Sequence, residues 1–189
     1  MKKIGILGGT FNPPHTGHLM IANEVKHALE LDEVRLLPTA SSPHKVFSGE
    51  TTAQQRLSMV ELAVTGIEGL RASSFEVERS GVSYTYDTMM ALTNAEPNID
   101  FHFIIGGDMI DALHTWHRIE ELVELMTFVG VRRPGSIGRT KFPIKYVNIP
   151  EIDLSSTLLR GRFEEGGTVT LLTPEAVESY IREVGLYGC

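Results

Sequence analysis

The chain has 189 residues, 42% hydrophobic and 22% charged, with a formal net charge of −7 and a pI near 5.5. That length suffices for one well-packed domain, and the acidic balance excludes non-specific nucleic-acid binding, which relies on a basic surface. The only cysteine, Cys189, excludes a disulfide framework and a Cys-based zinc site, and favours a reducing cytoplasm.

In chain order, "MKKIGILGGTF" sets two lysines before an apolar run, but Ile4 to Leu7 is too short for the core of a signal peptide. No apolar run is long enough to span a bilayer. Ile4 to Leu7, Val34 to Leu37, Phe101 to Ile105, Phe128 to Val131 and Tyr146 to Ile149 are short runs bounded by Gly, Pro or charge, and read as buried strands. Leu70 to Arg79 alternates and reads as a longer or edge strand. Helical faces lie between them: Ile21, Val25, Ala28 and Leu29; then Leu57, Val60, Val64 and Ile67; then Ile119, Leu122, Val123 and Met126. Such alternation predicts βαβ units, an α/β Rossmann-like parallel sheet with helices on both faces. The end differs. "SSTLLRGRFEEG" and "TPEAVESYIREVGLYG" read as two helices, the second capped by Thr173 with Pro174 at its first position and a stripe of Val177, Tyr180, Ile181 and Val184. The prediction is a single domain over residues 1–189 whose C-terminal helical part, from about residue 155, packs on the sheet. "PTASSPHKVFSGETT" and "RRPGSIGRTKFP" read as long loops at strand ends, where ligands of open α/β sheets bind.

The stretch "GGTFNPPHTGH", Gly8 to His18, stands where the first strand passes to a helix. It is neither the GxGxxG of a dinucleotide site nor a P-loop. Its glycines still let a ligand approach the backbone. A helix starting near Thr16 offers free N–H groups and a positive dipole end to an anion. His15 and His18, three apart across that start, can reach one point. The dipole disfavours their protonation in the empty site and bound phosphates favour it. Alone, a His-x-x-His spacing more often marks a structural or solvated pair, and no Asp or Glu nearby completes a metal triad. Near the other end, Ser155, Ser156 and Thr157 read as a helix start with hydroxyl caps, and Arg160 follows one turn later. Taken alone, this is an ordinary capped helix with a surface arginine.

Together, in this order, His15-Thr16-Gly17-His18 and "SSTLLR" resemble the two signatures of the nucleotidylyltransferase superfamily. Within it, "SPHK" (Ser42 to Lys45), "SYTYDT" (Ser83 to Thr88), "IIGGDM" (Ile104 to Met109) and the "TWH" around Trp116 resemble the bacterial nicotinate-nucleotide adenylyltransferases, over essentially the whole chain. Asn12 departs from the family's usual Asp, keeping the hydrogen-bonding shape and dropping a charge.

The resemblance implies adenylyl transfer from ATP to nicotinate mononucleotide, a step of NAD biosynthesis yielding deamido-NAD and pyrophosphate. It implies His18, His15 and Arg160 as the catalytic groups. ATP would lie against Gly8, Gly9, Thr10, Phe11, His15, His18, Gly106, Asp108, Ser155, Ser156, Thr157 and Arg160. The mononucleotide would lie against Lys45, Ser83, Thr85, Trp116 and Arg133. Magnesium would ride on the substrate phosphates, with no protein metal site, and no membrane or nucleic-acid partner is implied; a homodimer is left open. Each residue also has a plainer reading. Lys45 is a solvated loop charge or a flexible cation for a phosphate. Trp116 is a core anchor or a ring that stacks on a base or pyridine. Asp108 is a helix cap or a ribose partner. Arg132-Arg133 is a solvated pair or a phosphate clamp. Three other functions remain in play: a sister nucleotidylyltransferase with another acceptor, a core related to class I tRNA synthetases, and a nucleotide-binding module without catalysis.

Overall fold

The computed structural model describes residues 1–40, 51–79, 84–132 and 140–189. Strands β1 (Lys2–Gly9), β2 (Glu33–Pro38), β3 (Leu70–Ala72), β4 (Ile99–Ile105), β5 (Thr127–Arg132) and β6 (Ile144–Asn148) form one sheet in the order β3-β2-β1-β4-β5-β6. Every neighbouring pair runs parallel. The helices are α1 (Thr16–Ala28), α2 (Ala53–Val64), α3 (Phe75–Arg79), α4 (Thr85–Ala95), α5 (Gly107–Ala112), α6 (Ile119–Leu125), α7 (Ser156–Glu164) and α8 (Glu175–Val184), with 3-10 turns at Leu113–Thr115 and Leu186–Gly188.

Because side chains alternate along a strand, each inner strand buries two sets of residues. Ile4 and Ile6 of β1, Phe101, Phe103 and Ile105 of β4 and Phe128 of β5 face Met89, Leu92, Ile110 and Leu122 of α4, α5 and α6. Leu7, Leu36, Ile104, Val129 and Val147 face Ala22 and Val25 of α1 and Val60 and Val64 of α2. The parallel sheet with helices on both faces is therefore as the sequence predicts. Burial on both faces is why "FHFII" carries almost no polar residue. Its exception, His102, is buried with its ring 3.1 Å from Asp100 Oδ2.

Three local expectations are corrected. The alternating stretch Leu70 to Arg79 is a strand for three residues only; at Ser74 the chain turns into α3, where Glu78 N–H donates to the Ser74 carbonyl. The apparent polar position Glu76 is buried and accepts a hydrogen bond from Thr88 Oγ1 at 2.8 Å, so the alternation did not report a solvent face. Thr173 does not cap α8: Pro174 is the N-cap residue, and the Thr173 hydroxyl donates to the Pro14 carbonyl at 2.9 Å. Finally, α7 and α8 pack on helices rather than on the sheet. Leu159, Phe163, Val177, Ile181 and Tyr187 close over Met59 and Ala63 of α2, beside Leu19 of α1, with Val184 left exposed. Cutting a buried ring such as Phe163 to Ala there costs about 3–5 kcal/mol.

Candidate active site

All six strands end at one edge, and the order reverses between β1 and β4. Ligands of open α/β sheets lie in the crevice at such a reversal. Gly8 and Gly9 end β1, the loop after it carries Thr10, Phe11 and His15, and His18 stands in the first turn of α1; the loop after β4 carries Gly106, the N-cap of α5, and Asp108 is exposed in the first turn of that helix. The expected ATP residues of both loops thus flank the same crevice.

His15 is the N-cap of α1 in extended conformation, and its N–H donates to His18 Nδ1 at 3.1 Å. A backbone N–H can only donate, so neutral His18 carries its proton on Nε2. The two imidazoles stack at 3.6 Å between centroids. Phe11, at φ +51°, sets its ring edge-on to His18 at 4.9 Å. The left-handed conformation costs a bulky residue on the order of 1–2 kcal/mol. Gly17 has its own reason: a Cβ there would stand 3.1 Å from His15 Nδ1. Desolvation by this packing, and secondarily repulsion from His15, holds the His18 pKa well below the ordinary histidine value. Burial and the neighbouring imidazole therefore favour a neutral His18, where the sequence pointed to the helix dipole. Charging it would need a proton on Nδ1, against the His15 N–H, so the geometry prepares a neutral Nε2–H donor.

The second signature meets the first. Ser155 caps α7 by accepting from Leu158 N–H at 3.3 Å. Ser156 Oγ donates to the Pro13 carbonyl at 2.8 Å; Arg160 donates from Nη1 to the Asn12 carbonyl at 2.8 Å and from Nη2 to Thr157 Oγ1 at 3.3 Å. Two helix N-termini, those of α1 and α7, are thereby tied to a single loop. Both are sources of N–H donors and positive potential.

Sequence reasoning missed several residues that hold this loop. Arg56 of α2, buried at 2% exposure, donates to the carbonyls of Thr10 at 2.9 Å, Thr39 at 2.6 Å and Ala40 at 3.2 Å. Asn12 Oδ1 accepts from Thr51 Oγ1 at 2.6 Å and from Tyr187 Oη at 2.5 Å. Both bonds use an oxygen that Asn and Asp share, so Asn12 suits its place without a charge. Arg56 did leave a trace in the sequence, since it stands on one helical face with Met59, Val60 and Ala63, all buried.

On the other side of β4, Trp116 is half-buried, its ring T-shaped to Phe103 at 6.0 Å and to Phe128 at 5.9 Å. Thr85 opens α4, and the rings on either side of it, Tyr84 and Tyr86, lie 5.2 and 6.2 Å from that of His117. The structure thus brings Thr85 and Trp116 to neighbouring segments. Lys45, Ser83 and Arg133 lie outside the described residues. Among the described residues, no three His, Cys, Asp or Glu side chains come together that could hold a metal ion. None of the described helices is long and apolar enough to cross a membrane.

A parallel sheet of this order, with two helix starts and a histidine pair at its reversal point, defines a nucleotide-handling α/β protein. The cytidylyltransferase-like family model matches residues 6–162. Proteins named probable nicotinate-nucleotide adenylyltransferase are similar throughout: that of Bacillus anthracis is 54% identical over 187 residues, 99% of each chain, and that of Geobacillus thermodenitrificans is 50% identical over 188 residues, 100% of this chain and 87% of the relative. The chain belongs to the cytidylyltransferase-like family, in its nicotinate-nucleotide adenylyltransferase branch. The fold is shared with the nicotinic acid mononucleotide adenylyltransferase of Plasmodium falciparum complexed with NaAD, at a TM-score of 0.80 and 22% identity over 99% of this chain and 98% of that one.

Proposed function

We propose that this protein transfers the adenylyl group of ATP to nicotinate mononucleotide, giving deamido-NAD and pyrophosphate. The observation that carries the reading is the junction of the two signatures. Arg160 and Ser156 of α7 hold the carbonyls of Asn12 and Pro13, so the α7 start and the His15–His18 pair serve one surface. The mononucleotide phosphate is already ionised near neutral pH and is itself the nucleophile. Its oxygen attacks the α-phosphorus of ATP, the bond to the β-phosphate oxygen breaks, and pyrophosphate leaves with the electron pair. No protein nucleophile or base is required. The protein's work is alignment and stabilisation of charge on the phosphates.

In this reading His18 donates its Nε2–H to a phosphate oxygen. His15 and the backbone of Gly8, Gly9, Thr10 and Phe11 line the same phosphates. Ser155, Ser156, Thr157 and the open N–H groups of Arg160 face the triphosphate, while Gly106 and Asp108 face the nucleoside. The mononucleotide meets Trp116 through its pyridine and the Thr85 helix start through its carboxylate, with Lys45, Ser83 and Arg133 completing that side. ATP enters as its magnesium complex, the ion held by phosphate oxygens and water. Incubation of the purified protein with ATP, magnesium and each candidate mononucleotide, followed by pyrophosphate release, tests the proposal. Activity on nicotinate mononucleotide supports it, and activity only on another acceptor, or ATP binding without turnover, overturns it.

A further inference from the structure

Phe11 is a phenylalanine in a backbone conformation that L residues rarely adopt, with its ring 1% exposed and its edge against His18. Something outside the loop must hold it there. The peptide plane preceding Phe11 ends in the Thr10 carbonyl, and that oxygen accepts from Arg56 Nη1 at 2.9 Å. The other end of the same guanidinium is fixed by the carbonyls of Thr39 and Ala40, just past β2. Thr39 N–H in turn donates to the Gly9 carbonyl at 3.0 Å. Arg56 thus bridges the exits of β1 and β2 with the planar fork that only arginine has. Burial lowers its pKa, while Tyr187 and Glu76 act in the opposite sense.

We propose that Arg56 is a positioning residue for His18: by fixing the Thr10 carbonyl it holds Phe11 at positive φ, and the Phe11 ring in turn keeps the His18 imidazole packed and desolvated. The effect passes through two contacts, Arg56 to Thr10 and Phe11 to His18. The proposal rests on the adenylyl-transfer reading for what His18 does, but not for how it is held. Among the described residues, the titratable ring facing His18 is His15, stacked on it, and Phe11 supplies the apolar side. Loosening Phe11 admits water, so the His18 pKa should rise towards the ordinary histidine value.

The test uses the full chain with Arg56→Lys, Arg56→Gln and Phe11→Leu. Folding is followed by near-ultraviolet circular dichroism, the His18 ring titration by NMR, and adenylyl transfer by pyrophosphate release. Arg56→Lys, which can reach fewer carbonyls, should lower kcat about ten-fold while both KM values move less than about three-fold. In Arg56→Lys and Phe11→Leu alike, His18 should titrate at higher pH than in the parent. A purely architectural Arg56 would lower Tm yet leave the His18 titration and the kcat of the folded molecules unchanged, which overturns the proposal. Failure of both Arg56 variants to fold overturns it as well, since it assigns the guanidinium to the architecture alone. Absence of pyrophosphate release by the parent protein is a different failure, that of the reaction, and leaves the His18 titrations readable.

Discussion

Replacing His18 separates the reading of this site from its competitors most sharply, because the tautomer fixes which nitrogen acts. His15 N–H occupies Nδ1, so the proton available to a phosphate oxygen sits on Nε2. Gln carries its amide nitrogen near the Nε2 position of histidine, whereas Asn carries it nearer Nδ1. His18→Ala removes one preorganised donor to charge that develops during the reaction, worth about 2.7–4 kcal/mol, or roughly 10²–10³-fold in kcat. It also leaves the His15 N–H, one of the orphan donors at a helix start, to water, for about 0.5–2 kcal/mol of stability. His18→Asn should resemble Ala in kcat, and His18→Gln should recover about ten-fold or more over Ala. The assay is steady-state pyrophosphate release with ATP and nicotinate mononucleotide each varied, on protein shown to be folded. An Ala variant within a few-fold of the parent, or Asn outperforming Gln, would refute the assignment of the Nε2–H donor.

Arg160→Lys should raise the KM for ATP or reduce kcat, because a lysine cannot hold the Asn12 carbonyl and Thr157 while offering a fork to the triphosphate; a change confined to the mononucleotide's KM would assign Arg160 to the wrong substrate. The protein should prefer nicotinate over nicotinamide mononucleotide strongly, since an amide at the Thr85 helix start turns its own N–H groups towards donors. Trp116→Ala should weaken both mononucleotides, and equal kcat/KM for the two on the parent protein would sink this pocket. Folding stability should fall as pH drops below about 6.5, because the unfolded chain takes up the proton that folded His18, with its lowered pKa, refuses. The slope is at most about 1.4 kcal/mol per pH unit for one proton. Urea titrations at pH 7.5, 6.5 and 5.5 should show a smaller slope in His18→Gln, and identical slopes would remove the premise.

Much of this was legible in the sequence, and what was not has a common cause. The strands were readable because burial on both faces leaves runs such as "FHFII" without an alternative. The histidine pair and "SSTLLR" were readable because each acts within one helical turn. Phe75 to Arg79 misled because Glu76 is buried against Thr88, a partner twelve residues away. Thr173 looks like a cap and instead donates to Pro14. Arg56, Tyr187 and Thr173 share a feature that no pattern of residue types encodes: their hydroxyl or guanidinium groups reach loop oxygens far along the chain, and four of those oxygens are the backbone carbonyls of Thr10, Thr39, Ala40 and Pro14. A backbone acceptor has no letter of its own.

The bonds from Ser156, Arg160, Thr173 and Tyr187 into the loop at residues 12–14 span 143, 148, 159 and 175 positions. The loop after β1 is therefore completed by contacts of very long sequence separation, whose closure entropy is smallest once the sheet has formed. A nascent or clipped chain can own a complete sheet and still lack a set loop. The converse holds in the native state. A transient opening of the C-terminal helices, which dock on α2 through an apolar cluster separate from the two that flank the sheet, would release the loop without unravelling the sheet. Activity would then report on the docking of the last thirty-odd residues, and proteolysis there should silence the molecule before it changes its shape.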